Sequence, residues 1–101
     1  MRIPSRLKIG GHFYKILKDY HFKENTSLYG QTDYSLLEIR LSKYDGGGNI
    51  LPNTKYEEVF IHEILHAIDE AYNNKKCDEE IIERLSNGIY QVFKDNKLLR
   101  D

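Results

Sequence analysis

The sequence predicts an α+β fold, a small and mostly antiparallel sheet followed by two helices, on three observations. Residues 1–50 run in short apolar stretches broken by turn pairs, and residues 51–101 carry two apolar patterns of helical period. The length of 101 residues suits one core and is too short for two. Hydrophobic residues make up 40% of the chain and charged ones 31%, which excludes a disordered segment and fits one folded domain over residues 1–101.

The elements follow in order. Residues 7–9 and 12–19 flank Gly10-Gly11 and read as a hairpin rich in Phe, Tyr and Ile. After a polar stretch at 22–26, residues 27–32 and 35–43 read as a second pair of strands about an Asp33-Tyr34 turn. In the later strand Leu37, Ile39 and Leu41 point one way while Glu38, Arg40 and Ser42 point the other, so one face is buried and one meets solvent. The run Asp45-Gly46-Gly47-Gly48-Asn49 lacks the lysine and the following helix of a phosphate loop and reads as a flexible connection.

Thr54 and Glu57 stand at capping-box spacing, which predicts a helix over 54–73 that stops at Asn73-Asn74. Phe60, Ile61, Ile64, Leu65, Ala67, Ile68, Ala71 and Tyr72 form its apolar arc, and Val59, His62, Glu63, His66 and Glu70 lie opposite. Asp78 suits the cap of a second helix over 78–95, with Glu79 and Glu80 at its positive end. Its expected buried stripe is Ile81, Ile82, Leu85, Ile89, Val92 and Phe93.

The formal net charge of −1 hides an asymmetry: residues 1–50 carry eight Lys/Arg against five Asp/Glu, and residues 51–101 seven against eleven. Lys8, Lys15, Lys18 and Lys23 are scattered over strands and turns without the basic stripe of a nucleic-acid binder, so no nucleic-acid partner is expected. Cys77 is the single cysteine, which excludes an internal disulfide. The opening residues lack a signal-peptide core, and no apolar run approaches the roughly 18 residues of a membrane span. A cytoplasmic setting is the expectation.

The chemistry centres on His62-Glu63-Ile64-Leu65-His66. Residues four apart share a helical face, so His62 and His66 can grip one zinc ion while Glu63, one position round, reaches the water bound to it. A catalytic zinc takes three protein ligands, so a third is needed. The second helix offers Glu79, Glu80 and Glu83. Glu80 lies with Arg84 far from the apolar stripe, whereas Glu79, Glu83, Ser86 and Tyr90 follow its edge. Glu83 ranks first and Glu79 second, because a first-turn carboxylate is naturally a capping charge. His12 and His21 read as surface or strand residues, and Asp69 and Glu70 as a solvated face. Tyr90, on the edge with Glu83, is a candidate to hold an oxyanion.

Residues 59–68, Val-Phe-Ile-His-Glu-Ile-Leu-His-Ala-Ile, match the long zincin signature throughout, and Glu83-Arg84-Leu85-Ser86-Asn87 resembles the E-x-x-[SA]-[DN] element of the gluzincins. In size and order the chain resembles the minigluzincins and small phage-borne relatives of the IrrE/ImmA-type peptidases. The resemblance implies a zincin-like fold and a zinc metalloendopeptidase, with one zinc on His62, His66 and Glu83 and with Glu63 as general base. Asn87 takes the place of an aspartate that orients the first histidine, an amide that accepts a hydrogen bond but adds no charge. Zincins lay an extended peptide or protein substrate along an edge strand, for which residues 35–42 are the expected site. Minigluzincins use a terminal segment to occupy their cleft, so the tail at 96–101, with Leu98, Leu99 and Asp101, either inhibits in this way or packs on the core and frays. The alternative is a non-catalytic zinc-binding regulatory module of a phage or mobile element, and retention of Glu63 argues against it. A plain interaction domain with a chance motif is the third reading.

Overall fold

In the computed structural model, which describes residues 1–23, 25 and 28–99, the first half of the chain forms four short strands: β1 (Arg6–Ile9), β2 (His12–Leu17), β3 (Gly30–Asp33) and β4 (Glu38–Leu41). The stretch expected at 22–26, the start of the strand expected at 27 and the end of the tail at 100–101 lie wholly or partly outside the described residues. Gly10 and Gly11 turn β1 into β2 with φ of 62° and 85°, backbone that a two-residue hairpin needs and glycine supplies. Gly10 has a second reason to lack a side chain: a Cβ there would stand 2.6 Å from the Cβ of Ala71.

The sheet has the order β1-β2-β4-β3. The β1–β2 and β3–β4 pairings are antiparallel, but β2 and β4 run parallel, with Ile16 opposite Ile39, so the sheet is mixed. After β2 the chain crosses to the far edge, lays down β3 and returns β4 into the gap. Strand-level alternation carries no information about that insertion. Its consequence overturns the expected substrate edge, because residues 38–41 are central and β3 is the outer strand. The turn between them is also longer than Asp33-Tyr34. Asp33 caps it, its Oδ1 accepting from Ser35 N, Ser35 Oγ and Leu36 N at 2.8–3.0 Å, and Leu37 takes a φ of 56°. The Leu36 amide leads the contacts that hold the Asp33 carboxyl below its ordinary range.

The alternation in β4 holds within the strand: Ile39 and Leu41 are fully buried, each worth about 1.5–3 kcal/mol of transfer free energy. They join Ile9, Tyr14, Ile16, Phe60 and Ala67 in the core between the sheet and the first helix. Arg40, on the other face, bridges Glu38, Asp33 and Gln31. The glycine run after β4 is not a loose connection. Asp45 Oδ1 accepts from Gly47 N and Asn49 N, both at 2.9 Å, and Tyr44 bridges Ile50.

Helix α1 (Asn53–Asn73) begins at Pro52 without a side-chain cap and ends at Asn74 in the left-handed conformation. The expected capping box does not form, because Thr54 lies inside the first turn and Glu57 turns inward instead of back. Helix α2 (Glu79–Asp95) is capped as expected, Asp78 accepting from Ile81 N at 2.9 Å. Its rotation differs from expectation. Ile82, Ser86 and Tyr90 are buried, while Ile81, Leu85, Val92 and Phe93 are exposed, Leu85 by 52%. Among the described elements α2 packs on α1 alone. In the tail Leu98 is exposed and Leu99 half-buried, so Leu98 does not pack on the core. Among the described residues, no helix is long and apolar enough to cross a membrane.

Candidate metal centre

Helix α1 sets His62 and His66 on one face by their four-residue spacing, and their Nε2 atoms stand 3.2 Å apart. The first turn of α2 closes the triangle. Glu79 Oε1 lies 2.6 Å from His62 Nε2, and its Oε2 lies 2.9 Å from His66 Nε2. Among the described residues, His62, His66 and Glu79 are the group of His, Cys, Asp and Glu whose ligand atoms converge to within 4.8 Å. Of the two carboxylates ranked from the sequence, Glu79 occupies the position expected of Glu83. Glu83 is one turn further along α2, about 6 Å up the axis, and lines the same cleft with Asn87, Glu58 and Lys55.

The donor set fits a divalent metal. Two imidazole nitrogens and one carboxylate oxygen are a set catalytic zinc takes, and ligands at about 2.0–2.1 Å around a tetrahedral ion would stand about 3.3 Å from one another. The two nitrogens already stand within that spacing of each other, and each stands within it of one Glu79 oxygen. The cleft beside them stays open to solvent, and Glu79 is itself 66% exposed, so a fourth position is reachable.

Glu63 is not part of the triangle and stands beside it. It is 6% exposed, with Oε1 accepting from the Thr32 hydroxyl at 2.8 Å, while the same hydroxyl lies 3.1 Å from the Glu63 carbonyl oxygen. Burial pushes the Glu63 carboxyl above its ordinary range, against the lowering effect of Thr32 and His66. The approach of strand to helix depends on Gly30, where a Cβ would fall 2.6 Å from Val59 Cγ1 and 3.0 Å from Glu63 Cγ and Oε2. Tyr34, just past β3, lines the cleft and places its hydroxyl 3.4 Å from the His66 carbonyl oxygen. Burial, with Glu63 second, pushes its phenol up to about 12, so it stays protonated.

Two further expectations change here. Tyr90 is not at the cleft: its hydroxyl donates to buried Glu57 at 2.5 Å. Asp69 is not a solvated residue but a buried acceptor, receiving Asn73 Nδ2 at 2.8 Å and Cys77 N at 3.3 Å and tying the end of α1 to the start of α2. The Asn73 amide is the main reason its carboxyl sits below the ordinary range. Thr32, Gly30 and Tyr34 were not singled out from the sequence, since only the packing of β3 on α1 brings them to the histidines. His12 and His21 are exposed, as expected, and His21 stacks on Tyr44. Compared with known proteins, the chain matches no family model, no curated protein and no solved structure.

Proposed function

We propose that the chain is a zinc-dependent peptidase that cleaves extended peptide segments. The observation that carries the reading is the convergence of His62, His66 and Glu79 beside a buried, hydrogen-bonded Glu63. His62, His66 and Glu79 would hold the ion, which when bound polarises a carbonyl and lowers the pKa of its water to about 7. Glu63 takes the proton as water attacks the peptide carbonyl and hands it to the leaving amine. Its raised affinity for a proton suits the first of these steps. Thr32 occupies Oε1 and fixes the carboxylate plane, leaving Oε2 for the water. The substrate backbone adds to the outer side of β3, which brings the scissile bond alongside Glu63.

A second reading, a metal-binding interaction module, is favoured by the exposed row Ile81, Leu85 and Val92. Cleavage of a denatured protein by the zinc-loaded wild type, compared with Glu63→Gln, separates the two. The peptidase reading expects the variant to keep its fold and metal and to lose turnover by several orders of magnitude. No cleavage by the wild type, or equal cleavage by the variant, removes the catalytic role.

A further inference from the structure

Helix α2 sits in a rotation that its apolar residues do not favour. At 100° per residue the row Ile81, Ile82, Leu85, Ile89, Val92 and Phe93 centres roughly 80° away from the face formed by Ile82, Ser86 and Tyr90, which is the face turned to α1. Turning the helix onto its apolar row would bury more hydrophobic surface and swing Glu79 away from the histidines. Something polar holds it in the less apolar setting.

Polar contacts join α2 to α1 at both ends. At the first turn Glu79 reaches His62 and His66, but its side chain is two-thirds exposed and grips weakly in water. Eleven residues on, about 16 Å along the axis, Tyr90 meets Glu57. Glu57 is 8% exposed and plays no part in the proposed chemistry, yet it gathers Tyr90 Oη at 2.5 Å, Lys94 Nζ at 3.2 Å and the Met1 amino group at 3.1 Å. A buried carboxylate has few alternative partners, so this contact defines the angle at which α2 lies. Ser86, with no exposed surface, marks the close approach of the helices between the two ends.

We propose that Tyr90, through Glu57, is a positioning residue for the metal centre: it holds α2 in the rotation that delivers Glu79 to the histidine pair. The proposal rests on reading the triangle as a metal site. A merely structural Tyr90 would stabilise the protein without acting through Glu79, and a double-mutant cycle tells the two apart.

The experiment is zinc titration of metal-free protein in competition with a chromophoric chelator, on wild type, Tyr90→Phe, Glu79→Ala and the double variant, with melting temperatures alongside. Tyr90→Phe should weaken zinc binding on the order of tenfold in the wild-type background, as loss of a supporting partner does. In the Glu79→Ala background it should have no further effect. Ile16→Val, which thins the core away from α2, should lower the melting temperature and leave affinity unchanged. If Tyr90→Phe fails to fold, Lys94→Gln, at a half-exposed end of the same contact, should show a smaller loss that also vanishes without Glu79. Equal losses in both backgrounds, or a lower melting temperature with wild-type affinity, overturn the proposal while leaving the metal site standing. No zinc uptake by the wild type removes the site and the proposal together.

Discussion

Replacing Gly30 by alanine tests the contact on which the geometry of Glu63 depends. The added methyl would lie 2.6 Å from Val59 Cγ1 and 3.0 Å from Cγ and Oε2 of Glu63. Carbon atoms in contact sit about 3.5–4.0 Å apart, so the methyl needs roughly 1 Å more room. Val59 is β-branched and in a helix holds one rotamer, and Glu63 is tied to Thr32, so neither side chain swings clear. The displacement therefore falls on the spacing between β3 and α1. Overpacking of this kind costs about 1–3 kcal/mol, and under the proposed role of Glu63 as general base a displacement of about 1 Å costs on the order of a hundredfold in rate. Urea unfolding should show the loss of stability, and cleavage of a denatured protein should show the loss of rate. Zinc content should stay at the wild-type level, since no member of the triangle is touched. An alanine variant with wild-type stability and turnover would refute the close approach and the role built on it.

Three further outcomes follow from the same structure. Leu85→Gln should change stability by no more than about 0.5 kcal/mol because the side chain is exposed, whereas Ser86→Leu should cost about 1–3 kcal/mol by forcing the helices apart; the reverse order in denaturant unfolding would mean that α2 lies on its apolar row. Burial alone would raise the Glu57 carboxyl, but Tyr90, the Met1 amino group and Lys94 hold it below its ordinary range, so the folded state binds fewer protons than the unfolded chain between that lowered value and about 4.3. Its stabilising contribution is complete above that window and drains as pH falls through it; Glu57→Gln should flatten the acid limb of a stability-against-pH curve, and an unchanged limb would contradict the contact. Glu63 has the opposite sign: its folded carboxyl is raised, so stability drains as pH climbs above about 4.3 toward the folded value, and metal-free Glu63→Gln should melt higher than wild type at pH 7. A lower melting point would contradict the burial cost.

The class of fold and the histidine pair were legible in the sequence because both rest on local spacing. Two-residue alternation, Gly10-Gly11 and the four-residue step from His62 to His66 depend on neighbours along the chain. The order of the strands was not legible, since the parallel pairing of β2 with β4 depends on where a distant hairpin inserts. The sequence narrows the candidate third carboxylate to one edge of α2 and no further. Glu79 and Glu83 share that edge, and the choice between them is set by how far α2 slides along α1. The rotation of α2 departs from its apolar pattern: Ser86 and Tyr90 are buried, with Tyr90 bonded to Glu57, while Ile81, Leu85 and Val92 stay exposed. Glu57 illustrates the same limit, since capping-box spacing was present and tertiary partners claimed the side chain.

Zinc stoichiometry by plasma emission on wild type, Glu79→Ala and Glu83→Ala is the most direct test of the proposed metal centre. One zinc per chain is expected for the wild type, severe loss for Glu79→Ala, and retention for Glu83→Ala. A wild type without zinc, or a Glu79→Ala variant that keeps it while Glu83→Ala loses it, would contradict the site described here.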